Sequence, residues 1–147
     1  FCSFWCLSWS LRWPFLPTKN GSFPGYNCRI TAFSLFGDFV TVGANQPNTQ
    51  GEDALFLDLE TLSADSSVLC GDSTAKFCAL FAPVNAANST DVTEQVKALQ
   101  AGWRERGISF TDSNARLISV VLHDKFSDTY NTLFIGHVCI LIPAENG

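Results

Sequence analysis

Apolar residues recur at spacings of three and four from Cys28 to about Val42, so that Ile30, Phe33, Phe36, Phe39 and Val40 would line the buried face of a helix. Asn27 suits its N-cap and Gly43 its stop. Residues 44–53 are rich in Asn, Gln and Gly and read as a loop, while Ala54 to Leu59 is a short apolar stretch that fits either strand or helix. Asp72-Ser73 predicts the start of a second helix, running through Ala82 and ended by Pro83, with Asn85 to Thr90 as a linker. Thr90-Asp91 with Glu94 resembles a capping box. The helix that follows carries Val92, Val96, Leu99 and Trp103 at helical spacing, has Arg104 and Arg106 in its last turn, and ends at Gly107.

The period then changes. Leu117 to His123 and Leu133 to Ile142 read as strands, joined through 124–132 as an antiparallel hairpin with a long loop. Strict alternation puts Ile135, His137, Cys139 and Leu141 on one face of the second strand. A cysteine-bearing helix, two further helices and then a sheet make an α+β layout.

Residues 1–22 stand apart. Trp5, Trp9 and Trp13 recur every four residues, and Pro14 and Pro17 break any helix there. A core-packing helix, a poorly packing leader and a membrane-surface stripe all fit this segment. A secretory signal does not, since the basic start and the small-residue cleavage site are missing.

At 147 residues and 46% apolar composition, the chain is expected to form one domain or most of one. A net charge of −5 gives no electrostatic footprint for nucleic acid. The longest apolar run, Leu133 to Ile142, is too short to span a bilayer. There is no methionine, and the strand ending at Ile142 runs into Pro143 to Gly147 without a return strand. Both features lead us to expect a fragment or a processed product. The six cysteines, at 2, 6, 28, 70, 78 and 139, form neither a disulfide framework nor the close pairs of a zinc site.

Chemistry concentrates on two residues. A thiol at a helix N-terminus, as Cys28 would be, lies in the positive field of the first-turn N–H groups. An imidazole on a rigid strand, as His137 would be, suits a general base, and Gly136 beside it permits a close approach. Against this, a lone cysteine is more commonly a small core hydrophobe and a strand histidine often a hydrogen-bonded core residue. The Cys28 main-chain N–H would be the natural oxyanion donor, with Tyr26 or Asn27 adding a second. His123 and Asp124 are possible auxiliaries, and Asp124, Glu145 and Asn146 are the sequence neighbours that could orient the imidazole. No metal or cofactor is expected.

Gly25-Tyr26-Asn27-Cys28-Arg29-Ile30-Thr31 and Phe134-Ile135-Gly136-His137-Val138 resemble the two hallmark stretches of a bacterial family, domain of unknown function 4300. Trp103 to Ile108, Asp112-Ser113, Ile118 to Val120 and His123-Asp124 are similar in the same order, so the resemblance runs from about Phe23 to Gly147. It implies an exported bacterial protein, outside the cytoplasm, whose full-length form could carry a lipid anchor. It also divides the chain into an atypical segment 1–22 and a partial domain 23–147, because the family continues beyond this C-terminus. More distantly, a helix-borne cysteine followed by a His-Val-x-Ile strand is similar to papain-like cell-wall peptidases of the NlpC type. That resemblance implies a papain-like fold, Cys28 as nucleophile, His137 as base, and a peptide or cell-wall substrate. Cys139 stands where those enzymes usually have glycine, and nothing here matches their third catalytic position. Two functions therefore stand side by side: a cysteine hydrolase cleaving an amide bond, and a non-catalytic surface or lipoprotein binding module on the same scaffold.

Overall fold

The computed structural model describes residues 26–43, 52–69, 71–127 and 130–143. The tryptophan stripe of 1–22, Cys2, Cys6, Cys70, Glu145 and Asn146 lie outside them, as do most of the predicted loop 44–53 and the chain after Pro143. Among the described residues, no helix is long and apolar enough to cross a membrane.

The fold is α+β, with helices first and an antiparallel hairpin last. In chain order come α1 (Cys28–Phe36), β1 (Val40–Thr41), α2 (Phe56–Ala64), α3 (Ser73–Phe81), β2 (Val84–Asn85), α4 (Val92–Glu105), β3 (Ser109–Phe110), β4 (Arg116–Lys125) and β5 (Asn131–Leu141). The strands form a two-stranded sheet, β1–β3, and a three-stranded sheet ordered β2–β5–β4, with every pair antiparallel.

Several elements differ from the sequence reading, each for a local reason. The first helix is shorter than predicted. The Phe33 ring packs so closely on Gly37 that an added Cβ would fall 2.8 Å from it. The chain there tightens into a 3₁₀ turn, Gly37–Phe39, and Val40–Thr41 leaves it to pair with Phe110 and Ser109. Gly43 is therefore no helix stop; it lies against Gly107, and its N–H donates to the Arg106 carbonyl at 3.2 Å. The ambiguous stretch resolves as a helix: a 3₁₀ turn over Glu52–Leu55 leads into α2. Asn85 belongs to β2 rather than to a linker.

The core is aromatic. Ile30, Phe33 and Phe36 of α1 meet Phe77, Leu80 and Phe81 of α3, together with Leu55, Leu62, Ile135 and Val138. Phe33 stands edge-on to Phe77 at 5.5 Å and 87°, a geometry the ring quadrupoles favour.

The last helix starts where the sequence says, by a different arrangement. The Asp91 carboxylate accepts from the Thr93 N–H at 2.8 Å, while Glu94 pairs with Lys97 at 2.8 Å instead of reaching back. Its apolar stripe is only partly used, since Val92 and Val96 are exposed. Contact with the sheet runs through Gly102, where an added Cβ would lie 2.5 Å from Val84. Arg106 does not decorate the surface. It is buried and donates to the carbonyls of Ala79, Ala82 and Pro83, serving the acceptors at the end of α3.

Candidate active site

Asn27 fixes the start of α1. Its side-chain oxygen accepts from the Ile30 N–H at 3.1 Å, and its amide nitrogen donates to Asp58 at 2.6 Å. Asp58, on α2, is fully buried. Arg29 holds the same carboxylate from the other side of Cys28, with Nη2 to Oδ2 at 2.5 Å and Nε to Oδ1 at 3.2 Å. The two residues flanking Cys28 are thus tied to one buried anion. Tyr26, one residue earlier, donates to Asp65 at 2.5 Å. Burial first, then this bond and the carboxylate charge, push the Tyr26 hydroxyl up to about 12. Hydrogen bonds from the Ser67 side chain first, and then from Tyr26, hold the Asp65 carboxyl below its ordinary range.

The same arginine joins α1 to the strand that carries His137. β2 pairs only with Thr132 and Leu133 of β5. Just beyond, Arg29 Nη1 donates to the Ile135 carbonyl at 3.0 Å and its guanidinium lies 4.8 Å above the Phe134 ring. Cys28 Sγ is 4.0 Å from the next carbonyl, that of Gly136. The start of α1 therefore lies along β5 at positions 134 to 136, and the sulfur rests against the residue preceding His137.

A bulge decides where the imidazole points. Val120 pairs with His137 and Val121 with Ile135, which leaves Gly136 as the extra residue. Alternation is offset by one there. Ile135 and Val138 are both buried and His137 is exposed, so the predicted common face of Ile135 and His137 is not formed. Without the bulge, His137 would take the inward position after Ile135. Glycine suits the position because the Leu122 side chain crowds it: an added Cβ would meet Leu122 at 2.7 Å.

The other predicted participants are placed elsewhere or already engaged. The Tyr26 hydroxyl donates to Asp65 and the Asn27 amide to Asp58. His123 pairs in register with Leu133 and meets Asn131 at 2.6 Å. At about 3.3 Å per residue it sits roughly 10 Å along the strand from Val120, the residue opposite His137. Asp124 lies one step further, opposite Thr132. Among the described residues, no group of three His, Cys, Asp or Glu side chains is placed to hold a metal ion. Cys28 and Cys139 both carry free thiols.

The family model described as Domain of unknown function (DUF4300) matches residues 14–147. This chain belongs to that family. The DUF4300 match begins at Pro14, upstream of Phe23, where the resemblance read from the sequence opens. Among curated proteins and among solved structures, nothing matches the chain.

In this DUF4300 chain the sequence reading missed Arg29 and Asp58. The only signal was a lone aspartate within the apolar run Leu55-Phe56-Leu57-Asp58-Leu59. A carboxylate there has to be partnered if the run is buried, but nothing local names the partner.

Proposed function

We propose that this chain is a papain-like cysteine hydrolase of amide bonds, acting outside the cytoplasm on a cell-wall peptide or a similar amide. The observation that carries the reading is the seating of the Cys28 sulfur 4.0 Å from the Gly136 carbonyl, on the bulge that turns His137 toward solvent. Bulges of this kind re-aim side chains beside active sites. Cys28 is also the first residue of a nine-residue helix, whose first-turn N–H groups lie outside the intrahelical ladder.

In this mechanism His137 accepts the Cys28 thiol proton as sulfur attacks the amide carbonyl carbon. The oxyanion is met by the Cys28 main-chain N–H. His137 returns the proton to the departing amine, and the C–N bond breaks to leave a thioester. Water, deprotonated by His137, then releases the acid and restores the thiol. Arg29 and Asn27 hold the thiol's helix against Asp58, so little reorganisation accompanies attack.

A second reading, a non-catalytic binding module, draws on the partial burial of Cys28 against the aromatic core. Thiol labelling separates the two. With a peptidyl electrophile and mass-spectrometric readout, Cys28 of the intact protein reacts first, and Cys28→Ala abolishes that fast phase while Cys70→Ala and Cys139→Ala retain it. His137→Ala slows it by about a hundredfold or more, in the range of lost general-base assistance. Equal labelling across the cysteines, or indifference to His137→Ala, leaves the binding module.

A further inference from the structure

β4 is the edge of its sheet, and among the described residues no strand pairs with its outer side. It is ten residues long, or about 33 Å at the usual strand rise. Natural edges are blunted by charge, proline, a bulge or brevity. β4 has none of these at its centre: Leu117 to Leu122 contains no charge and no proline, and the sheet's bulge adds its extra residue to β5.

Alternate residues of β4 form a graded stripe on its outer face. Arg116 comes first, then Ile118, Val120 and Leu122, and Asp124 closes it. The three apolar residues are 39%, 50% and 49% exposed, which is high for large side chains at the middle of a strand. The Arg116 guanidinium is anchored at the strand entry by the Ser113 and Ala115 carbonyls, with donors to spare.

We propose that β4 pairs with β4 of a second copy of this chain, antiparallel, about a two-fold axis through Val120. The charge pattern selects this occupant. Reversed against itself in that register, the stripe sets Arg116 opposite Asp124 of the second copy, and by symmetry does so twice. Ile118 falls opposite Leu122 twice, and Val120 opposite Val120. Slipping by one residue in one direction puts Arg116 opposite Lys125, a like-charge pair. Slipping by two puts Ile118 opposite Asp124 in one direction and Arg116 opposite Leu122 in the other. Cross-strand pairs set register in just this way, and an isologous contact closes at two chains instead of growing into a fibre. The dimer is independent of the hydrolase reading and would stand without it.

The test is sedimentation velocity on the intact chain from about 1 to 100 μM, where moderate interfaces dissociate. The mass is expected to rise with concentration from 16.1 kDa toward twice that value. Val120→Lys, at an exposed site, keeps the native circular dichroism spectrum and stays monomeric. R116D and D124R each weaken self-association by about tenfold, since each makes two like-charge contacts. Mixed in equal amounts, the two variants restore both opposite-charge contacts and associate at least as tightly as the parent. A parent chain that remains monomeric throughout overturns the proposal. So does a dimer unaffected by Val120→Lys, or a mixture no tighter than its components.

Discussion

Arg29 of α1 and Asp58 of α2 form a buried ion pair, with the carboxylate fully enclosed and the guanidinium side chain only 11% exposed. The pair joins three elements, because the same arginine reaches the Ile135 carbonyl of β5. Removing one partner strands the other charge in the interior. Asp58→Ala should therefore destabilise the protein by about 3–5 kcal/mol in urea unfolding. Glu94→Ala, which breaks the exposed pair with Lys97, should cost at most about 1 kcal/mol. Similar losses for both would mean that burial does not govern the first pair.

The contact between Gly107 and Gly43 leaves no room for a side chain. Gly107 has φ of +64°, and an added Cβ would lie 2.7 Å from the Gly43 Cα. Backbone strain and a backbone clash act together, so Gly107→Ala should lower stability by about 2–4 kcal/mol. Gly71→Ala is the control: its φ is also positive, at +58°, but nothing lies within 4 Å. It should cost only the conformational term, about 1–2 kcal/mol. Equal melting temperatures for the two variants would contradict this account.

Arg106 is buried and serves three carbonyls at the end of α3. Arg106→Met keeps much of the apolar stem but strands those acceptors, and a loss of about 2–4 kcal/mol is expected. Hydrogen exchange should localise the effect to α3 and Pro83–Asn85. Uniform loss of protection across the chain would argue against a helix-capping role.

The Tyr26–Asp65 bond predicts a pH signature. Tyr26 is raised from 10.0 to about 12 on folding, so its stabilising contribution is complete below pH 10 and disappears as pH rises from 10 toward 12. Asp65 is lowered from 3.8, so its contribution is present above that value and lost as pH falls through the depressed folded value. An absorbance titration at 295 nm should show a late tyrosinate step that Tyr26→Phe removes. The stability gap between parent and variant should close in the alkaline range. A single step near 10 with both tyrosines present would refute the assignment.

Much of the frame is legible from local pattern. The start of α1 at Asn27–Cys28, α3 ending before Pro83, α4 between its cap Asp91 and Gly107, and the antiparallel hairpin all follow from period, caps and breakers. Such signals act over one or two turns of chain, so the sequence carries them without help from the fold. The place of Cys28 at the first position of α1 was legible in the same way, whereas the face taken by His137 was not.

What only tertiary structure decided are the meetings between elements: Arg29 with Asp58, Tyr26 with Asp65, Arg106 with the end of α3, and Cys28 with Gly136. Each joins residues more than twenty positions apart, and no local spacing encodes which buried charge or carbonyl a side chain will find. The bulge belongs with them. Period-two reading assumes that each residue of β5 faces one residue of β4, and the pairing offset that lets Gly136 drop out of register turns His137 from the core to water.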